Sequence, residues 1–507
     1  MTGFPSPYGR GARGEGMRYI LSIDQGTTGS RAIVYDKNGS KIASSYHEFP
    51  QYFPKPGWVE HDPEEIWDSV NRSIQDVLKN VGPHRIAAIG ITNQRETTVV
   101  WDGKTGKPVH NAIVWQCRRT ADRCEKIKKK KAIVRYIKNT TGLPVDAYFS
   151  ATKIEWIINN ICRGGLQSAS TLLFGTTDSW VLWKLTGGKI HATDYTNASR
   201  TMLFNIRKKK WDRKLLRFFR IPASILPKVK RSSGHFGKTN KIGRLPEGIP
   251  ITGIAGDQQA ALFGQTCFKP GEVKNTYGTG CFMLLNTGKK FRISRAGLIT
   301  TLACDEKGAP CYALEGSVFI AGAAIQWLRD GLKIIAKSCE TEKMAFSLKD
   351  NEGVYLVPAF VGLGAPYWDQ NVRGIICGLT RGTQREHLTR AALEAMCYQT
   401  KDVLLAMEKD SGLKIKDLKI DGGAVANNFL CQFQADILGA KVIRPRIIET
   451  TSLGAAYLAG LAVGFWMNAK ELKRCWVAER IFKQKMNKSK ARRCCEGWKK
   501  AIKQAIA

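Results

Sequence analysis

The opening of the chain alternates short apolar runs with a turn that is rich in glycine and hydroxyl groups. Two apolar runs, 19–23 and 32–35, flank the stretch Asp24-Gln25-Gly26-Thr27-Thr28-Gly29-Ser30-Arg31, and Asn38-Gly39 then precedes Ile42-Ala43. This alternation predicts a strand, a tight turn, a strand, a second turn and a third strand. Backbone N–H groups and hydroxyls gathered at such a turn suit the oxygens of a phosphate, although an ordinary glycine turn would give the same pattern.

Polar side chains follow two further apolar runs, at the point where each predicted strand ends. The run from Ile86 to Thr92 leads into Asn93-Gln94-Arg95-Glu96, and the run from Ile249 to Ile254 leads into Ala255-Gly256-Asp257-Gln258-Gln259. In an α/β protein such strand ends face a crevice, so we expect these side chains to bind a ligand there. An adjacent arginine and glutamate suit a polyhydroxy ligand. The alternatives are a surface ion pair for Arg95 and Glu96, and a helix cap for Asp257.

Helices are predicted where apolar residues recur every three to four positions. One helix is predicted over 63–79 with Asp62 as its cap, and others over 150–160, 385–409 and 453–463. The last of these is rich in glycine and alanine, which suits close packing against a neighbour. The interleaving of strands and helices predicts an α/β fold.

The second half of the chain repeats the pattern of the first half. A predicted strand, 273–277, leads through Gly278-Thr279-Gly280 into another predicted strand, 281–285. Two halves that each open on a hairpin with a Gly-Thr turn predict a duplicated unit, whose two turns could hold a phosphate chain from both sides. The later stretch Asp421-Gly422-Gly423-Ala424-Val425-Ala426-Asn427 would let the backbone approach a ligand closely.

The size and composition of the chain exclude several classes of protein. A chain of 507 residues suggests two or three domains, and it has no apolar run long enough to span a bilayer. The usual nucleotide-binding loops, Gly-x-x-x-x-Gly-Lys-Ser/Thr and Gly-x-Gly-x-x-Gly after a strand, are absent. The 14 cysteines form no Cys-x-x-Cys pair and favour a reducing compartment. Residues 1–16 lack the apolar core of a secretory signal. They could form a weak targeting arm, but we favour a disordered tail ahead of a true start at Met17.

The net charge of +36 is the most unusual global feature. Its basic residues are spread over separate runs at 128–131, 207–210, 228–231 and 483–503. Because aromatic residues are not interleaved with these runs, we interpret them as solvated surface rather than as a nucleic-acid platform.

The motifs taken together resemble the FGGY carbohydrate kinase family, from about Tyr19 to Trp466. The resemblance implies two actin/Hsp70-like (ribonuclease H-like) ATPase domains with a deep cleft between them, an N-terminal domain over 17–265 and a C-terminal domain over 266–507. The matching stretches are Asp24-Gln-Gly-Thr-Thr28, Ile91-Thr-Asn-Gln-Arg-Glu-Thr-Thr98, Val114-Trp-Gln-Cys-Arg-Arg119, Tyr148-Phe-Ser150, Gly256-Asp-Gln-Gln259, Asn275-Thr-Tyr-Gly-Thr-Gly-Cys-Phe282, Gly362-Leu-Gly-Ala-Pro-Tyr-Trp368 and Asp421-Gly-Gly-Ala-Val-Ala-Asn-Asn428.

Within that family, the Arg95-Glu96 pair and Trp115 resemble the members that phosphorylate glycerol rather than a sugar. The implied activity is ATP-dependent formation of sn-glycerol 3-phosphate, the first step of glycerol catabolism, with Asp257 as the base and Asp24 approaching Mg²⁺ through water. The resemblance assigns glycerol to Arg95, Glu96, Trp115, Tyr148, Asp257, Gln258 and Phe282. It assigns ATP to Thr27, Thr28, Gly29, Arg31, Thr279, Gly322, Gln326, Gly423 and Asn427.

The resemblance also implies a cytoplasmic enzyme that forms a homodimer or homotetramer, and the sequence itself predicts no membrane span and no nucleic-acid partner despite the basic charge. Two departures qualify it. Gly29 lies where many members carry serine, so one hydroxyl contact with phosphate is expected to be missing. The loop over 240–249 lacks the Gly-Gly-x-Arg pattern that binds a sugar bisphosphate in some bacterial members, and the chain lacks the His-Phe-x-Gly segment that is phosphorylated in others.

Two rival functions stay open at this point. The chain could phosphorylate another polyol or sugar, which a panel of substrates with ATP would reveal. It could instead be a non-catalytic, ATP-dependent scaffold for nucleic acid, which predicts strong, salt-dependent retention on DNA or RNA.

Overall fold

The structure is a computed structural model that describes residues 18–161, 171–369 and 371–507. The predicted tail at 1–16 and the predicted start at Met17 lie outside the described residues. Within this part of the chain the strands are β1 (Tyr19–Gln25), β2 (Gly29–Tyr35), β3 (Lys41–Glu48), β4 (Glu60–His61), β5 (Ile86–Asn93), β6 (Thr98–Asp102), β7 (Ala112–Ile113), β8 (Leu172–Thr176), β9 (Ala192–Asp194), β10 (Phe204–Asn205), β11 (Lys210–Trp211), β12 (Lys228–Lys230), β13 (Ser233–Lys238), β14 (Pro250–Gly256), β15 (Val273–Tyr277), β16 (Cys281–Gly288), β17 (Ile299–Cys304), β18 (Pro310–Val318), β19 (Tyr355–Val357), β20 (Ile375–Cys377), β21 (Asp417–Asp421), β22 (Lys441–Pro445) and β23 (Ala478–Phe482). The α-helices are α1 (Pro63–Asn80), α2 (Ala121–Lys128), α3 (Lys131–Thr141), α4 (Ser150–Asn160), α5 (Thr177–Leu185), α6 (Tyr195–Ala198), α7 (Arg213–Phe218), α8 (Asp257–Gly264), α9 (Gly322–Gln326), α10 (Glu340–Phe346), α11 (Arg385–Ser411), α12 (Asn428–Leu438), α13 (Thr450–Ala462), α14 (Ala469–Cys475) and α15 (Lys488–Ile506).

Two mixed sheets carry the same arrangement of strands. The first has the order β13-β14-β5-β1-β2-β3 and the second the order β17-β18-β16-β15-β21-β22-β23. In the first sheet, β1, β2 and β3 are antiparallel neighbours; β5 and β14 continue the sheet in parallel with β1, and β13 ends that side as an antiparallel strand. In the second sheet, β15, β16 and β18 correspond to β1, β2 and β3, and β21, β22 and β23 correspond to β5, β14 and β13. The second sheet differs only by the extra edge strand β17. The duplicated unit that the two Gly-Thr turns predicted is therefore confirmed.

Helix α13, from the second half of the chain, packs against the first sheet and against α8. A Cβ on Gly90 of β5 would lie 2.2 Å from the carbonyl oxygen of Ala455, and one on Gly454 would lie 1.8 Å from that of Ala260. Only glycine permits such an approach, so the close packing predicted for this helix is confirmed. The division of domains at residue 265 stays a prediction, and α13 joins residues from both sides of it.

The predicted helices are present, with differences at their ends. The carboxylate of Asp62 accepts a hydrogen bond from the backbone N–H of Glu64 at 2.8 Å, which caps α1. Helix α4 has the predicted bounds. Helix α11 continues to Ser411 and ends where Gly412 adopts a left-handed conformation, with φ of 67°. Helix α13 begins at Thr450, three residues before the predicted start.

Three of the expectations from composition can be compared with the described residues. The side chains of the basic runs at 128–131 and 207–210 are exposed, as expected for solvated surface. Every described cysteine carries a free thiol. No helix in the described ranges combines the length and apolarity that a bilayer crossing requires.

Candidate active site

Strands β1, β5 and β14 run parallel as neighbours, so their carboxyl ends meet at one edge of the first sheet. Asp24, near the end of β1, lies opposite Thr92 of β5. The chain that leaves β5 carries Arg95 and Glu96, and the chain that leaves β14 carries Asp257. The polar strand ends that the sequence singled out therefore lie together at one edge of the sheet.

Asp257 is the first residue of α8, and its carboxylate faces Arg95. The Nε atom of Arg95 lies 3.0 Å from Oδ1 of Asp257, and the backbone N–H of Gln258 donates to the same oxygen at 2.7 Å. The side chain of Asp257 is 30% exposed, whereas that of Arg95 is 2% exposed. The helix-cap alternative is wrong, because the residue at the cap position is Gly256. This geometry fixes one carboxylate oxygen and leaves the group accessible to a ligand.

Arg95 and Glu96 belong to a buried cluster of four charged residues. Arg95 donates to Glu315 of β18 at 2.6 and 3.0 Å. Arg200 donates to Glu96 at 2.5 Å and to Glu315 at 3.0 Å. These four side chains are at most 2% exposed, so the surface-ion-pair alternative is wrong. The cluster links residues that are more than a hundred positions apart along the chain.

The charges in this cluster keep Glu315 ionised. Burial acts to raise the pKa of Glu315, but the guanidinium groups of Arg200 and Arg95 outweigh it and lower that pKa to about 2. Glu96 has a positive φ of 62°, which is unusual for a residue with a side chain. A strained backbone held at this point by buried ion pairs fixes the direction of both Arg95 and Glu96.

Aromatic residues form a wall beside the carboxyl edge. The rings of Trp115 and Tyr148 meet edge to face with centroids 5.7 Å apart. The indole N–H of Trp115 donates to Oγ1 of Thr27 at 3.0 Å, and the guanidinium of Arg200 lies over the Tyr148 ring at 5.6 Å. The expected substrate residue Trp115 thus contacts the first Gly-Thr turn directly. A ligand at this wall would touch both the ion cluster and the turn.

Gln258 is held by Lys274, a buried residue of β15. The ammonium of Lys274 donates to Oε1 of Gln258, to Oγ1 of Thr276 at 2.7 Å and to the carbonyl of Phe282 at 3.2 Å. Burial lowers the pKa of Lys274 to about 8, against the charges of Asp421 and Asp257. The structure therefore brings the predicted residues Gln258 and Phe282 together through a lysine that sequence reasoning missed.

Both Gly-Thr turns are closed by backbone hydrogen bonds. In the first, the N–H of Gly26 donates to the carbonyl of Gly29 at 2.9 Å, and in the second, the N–H of Gly278 donates to that of Gly280 at 2.9 Å. The N–H of Gly322 donates to the Gly278 carbonyl at 3.0 Å. A Cβ on Gly322 would lie 2.6 Å from that oxygen, so the start of α9 needs glycine to reach this turn. The second turn and the start of α9 therefore lie in direct contact, and the assignments of Thr279 and Gly322 to ATP stay predictions.

Asp24 and Arg31 are direct cross-strand neighbours on β1 and β2. Burial raises the pKa of Asp24 to about 7; the charge of Arg31 opposes this rise and that of Asp257 adds to it. The described residues contain no group of three or more histidine, cysteine or acidic side chains that would hold a metal by themselves. One or two carboxylates beside phosphate oxygens and water are instead the donor set that Mg²⁺ prefers, so the residues fit this ion.

The glycine pair Gly422-Gly423 follows β21, and Gly422 packs on the strand that leads into the second turn. A Cβ on Gly422 would lie 2.4 Å from the Tyr277 carbonyl oxygen, whereas one on Gly423 would meet no atom within 4 Å. Position 422 therefore requires glycine, whereas the open space beside Gly423 leaves room for a ligand; the assignment of Gly423 to adenosine stays a prediction. The Asn427 side chain caps α12 by accepting from the Leu430 N–H at 3.0 Å.

Asn427 and Gln326 differ in their surroundings. Asn427 also donates to Thr341 at 3.1 Å, so both ends of its amide have partners within the protein. Gln326 lies at the end of α9 with an exposed side chain. Their assignment to adenosine stays a prediction.

Three residues that sequence reasoning did not place in the site are Arg200, Lys274 and Glu315. The sequence singled out the stretch around Glu315 only as the approach to a helix, and Lys274 only as part of a strand. No local pattern marks Arg200 and Glu315, because their partners lie more than a hundred positions away along the chain. Lys274 is the second residue of β15, whose sequence Val-Lys-Asn-Thr-Tyr is mostly polar, so the strand pattern gives no signal that this lysine is buried.

Family models match most of the chain. The model for the N-terminal domain of the FGGY family of carbohydrate kinases matches residues 19–264, and the model for its C-terminal domain matches residues 273–463. These two matches leave unmatched only the short link between them and the ends of the chain.

Individual relatives agree with the family models. A glycerol kinase of Fusobacterium nucleatum is 59% identical over 490 residues, which cover 96% of this chain and 98% of that protein. Glycerol kinase 2 of Thermotoga maritima is 57% identical over 494 residues, covering 97% of this chain and 99% of that protein. Among solved structures, Plasmodium falciparum glycerol kinase with ADP has a TM-score of 0.90 at 38% identity and covers 97% of this chain and 99% of that one. Gluconate kinase from Lactobacillus acidophilus has a TM-score of 0.86 at 23% identity, and the match covers 96% of this chain and 97% of that one. At this identity the match supports the fold alone. The predicted fold class is confirmed.

Proposed function

The chain belongs to the FGGY family of carbohydrate kinases, and we propose that it transfers the terminal phosphoryl group of ATP to glycerol, forming sn-glycerol 3-phosphate. The names and near-complete coverage of its relatives support this substrate pair. The observation that carries the proposal is the position of Asp257. Its accessible carboxylate is held by Arg95 at the edge where three parallel strands end.

Asp257 acts as the base in this proposal. A glycerol hydroxyl directed at its carboxylate loses its proton to Asp257 as the bond to the phosphorus atom forms. Phosphoryl transfer passes through a loose transition state, so little proton abstraction is needed early and the alignment of the hydroxyl matters more. Arg95 fixes the carboxylate, and the buried cluster behind Arg95 prevents that side chain from moving.

The other glycerol contacts follow from the surroundings of Asp257. Arg95, Glu96, Gln258 and the phenol of Tyr148 bind hydroxyl groups, because each offers a polar atom beside the carboxyl edge. Trp115 packs against the carbon chain, and Phe282 does so from the second sheet. A three-carbon polyol matches a site with polar groups on one side and aromatic rings on the other.

The phosphate chain of ATP lies between the two Gly-Thr turns. Thr27, Thr28 and Thr279 donate hydroxyl hydrogen bonds to phosphate oxygens, and Arg31 neutralises their charge. Mg²⁺, when bound, would offset further phosphate charge, and Asp24 would hold it through water. Gly29 belongs to the first turn, while Gly322, Gln326, Gly423 and Asn427 line the adenosine side. Water competes with glycerol for the phosphoryl group, so we expect the two halves to close over the substrates.

A panel of polyols and sugars tested with ATP examines the proposal directly. ADP release is measured for each candidate at equal concentration, with a reaction lacking acceptor as the control for hydrolysis by water. The proposal predicts that glycerol gives the highest kcat/KM. A higher value for another polyol or for a sugar would assign the chain to another branch of the same family, and no acceptor-dependent release would refute the kinase function.

Three further expectations accompany the proposal and remain predictions. They are the division into domains 17–265 and 266–507, a homodimeric or homotetrameric state, and a cytoplasmic location.

A further inference from the structure

Tyr46 lies across the first Gly-Thr turn, although no sequence motif pointed to it. The residue is on the edge strand β3, directly opposite Arg31 of β2, which in turn lies opposite Asp24 of β1. Directly opposed residues in antiparallel strands place their side chains on the same face of the sheet. Tyr46 therefore forms a row with the carboxylate and the guanidinium that the proposed function assigns to metal and phosphate.

The ring of Tyr46 occupies the space that a side chain at position 29 would need. A Cβ on Gly29 would lie 2.6 Å from Cζ and from the phenol oxygen of Tyr46, and 2.7 Å from the carbonyl oxygen of His47. The φ of Gly29 is not in the left-handed region, so the conformation of the backbone does not require glycine here. Glycine at this position is explained by the ring of Tyr46 together with the backbone carbonyl of His47.

The phenol of Tyr46 also contacts the turn itself. Its oxygen lies 3.2 Å from Oγ1 of Thr28, and the guanidinium carbon of Arg31 lies 5.3 Å from the centre of the Tyr46 ring. Of two hydroxyls that share one hydrogen bond, one donates and the other keeps its own O–H for a further acceptor. The pair therefore presents one O–H group to a ligand at the turn. The arginine–ring contact is within the range of a cation–π interaction, which orients the guanidinium.

We propose that Tyr46 is a positioning residue of the phosphate site, which orients the Thr28 hydroxyl and Arg31 and supplies the hydroxyl that Gly29 lacks. This inference rests on the proposed function for the identity of the nucleotide. The ligand chemistry is the polyphosphate chain of a nucleoside di- or triphosphate, and a nucleoside without phosphates would not sense Tyr46. The side chain is 42% exposed, so the phenol can be reached by such a ligand.

Two substitutions separate the hydroxyl from the ring. Tyr46→Phe removes the phenol oxygen and keeps the ring over Gly29, whereas Tyr46→Leu removes the ring as well. Ser44→Ala is the matched control, because Ser44 is exposed on the same strand and its side chain points to the same face two residues away. Thermal unfolding of each variant checks that the fold is kept.

The kinetic test compares the KM for ATP with the KM for glycerol in each variant. Losing one hydrogen bond at the phosphates is expected to raise the KM for ATP of Tyr46→Phe by roughly 2- to 10-fold, with the KM for glycerol unchanged. Tyr46→Leu should raise the KM for ATP further, since Arg31 loses its contact with the ring, and Ser44→Ala should match the wild type. An unchanged KM for ATP in Tyr46→Phe, or equal rises for both substrates, would overturn the inference.

A binding test keeps this inference separate from the proposed function. Calorimetric titration with ADP in the absence of glycerol should show the same loss of affinity for Tyr46→Phe, while titration with adenosine should show none. If the wild type fails to phosphorylate glycerol but ADP binding responds to Tyr46→Phe, the function fails and the inference stands. If glycerol is phosphorylated and ADP binds both proteins equally, the inference fails and the function stands.

Discussion

Glu315 is the residue whose replacement should disturb both the stability of the protein and its site. Its carboxylate accepts hydrogen bonds from Arg95 at 2.6 and 3.0 Å and from Arg200 at 3.0 Å, and all three side chains are almost completely buried. Glu315→Gln keeps the size of the side chain but removes its charge. It also replaces one acceptor oxygen by an NH₂ group, which faces an arginine donor.

The expected loss of stability follows from this geometry. Breaking a buried ion pair by removing one partner costs about 3–5 kcal/mol, because a buried charge is left uncompensated. Glu96 and Asp257 remain beside the two arginines, and glutamine keeps one acceptor, so we expect a value near the lower end, about 3 kcal/mol. Because Arg95 holds Asp257, the KM for glycerol should rise as well.

Urea unfolding measures the first effect and steady-state kinetics the second. Glu306→Gln is the matched control, because Glu306 is an exposed acid in the turn between β17 and β18, and its unfolding free energy should stay within about 0.5 kcal/mol of the wild type. An equally small change in Glu315→Gln would refute the view that the buried cluster stabilises the fold. An unchanged KM for glycerol would refute the coupling between Glu315 and Asp257.

The loss of stability in Glu315→Gln should depend on pH. The pKa of Glu315 is lowered from 4.5 to about 2 in the folded protein, so its stabilising effect is complete above the unfolded pKa and is lost as the pH falls through the folded pKa. The difference in unfolding free energy between wild type and Glu315→Gln should therefore shrink between about pH 5 and pH 2. A difference that stays constant over this range would contradict the assignment of the charge to Glu315.

Two further predictions follow from single hydrogen bonds. Trp115→Phe removes the indole donor to Thr27 and should raise the KM for glycerol or ATP by roughly 2- to 10-fold, because the hydrogen bond between the aromatic wall and the turn is lost. Initial rates measured over a range of each substrate give both KM values, and unchanged values for both would contradict the prediction. Asp62→Ala removes the cap of α1 and should lower the unfolding free energy by about 1 kcal/mol without changing kcat, which urea unfolding and a standard activity assay check; a large loss of kcat would show that the helix has a role beyond support.

Local patterns of residues were sufficient for most of the elements. The cap at Asp62, the bounds of α4 and the duplicated hairpins could be predicted because each depends on residues within one or two turns of chain. The junction at Asp257 was predictable for the same reason, since an apolar strand followed by polar residues indicates a crevice. The sequence also predicted that α13 packs closely, but not against which sheet.

Long-range contacts explain what was missed. Glu315 meets Arg95 across 220 positions of the chain, and Lys274 meets Gln258 on a different element, so no spacing in the sequence relates them. The requirement for glycine at position 422 comes from the carbonyl of Tyr277 on another strand, not from the glycine pattern itself. Buried charges of this kind follow from the tertiary structure, not from local propensity.

The turnover of Asp257→Asn, measured together with its affinity for glycerol, tests the central claim most directly. Asparagine keeps the shape of the side chain but cannot accept the proton of the attacking hydroxyl. The account predicts that glycerol still binds, as measured by calorimetry, while kcat falls by roughly 10²- to 10⁴-fold. Turnover close to that of the wild type would contradict the assignment of Asp257 as the base.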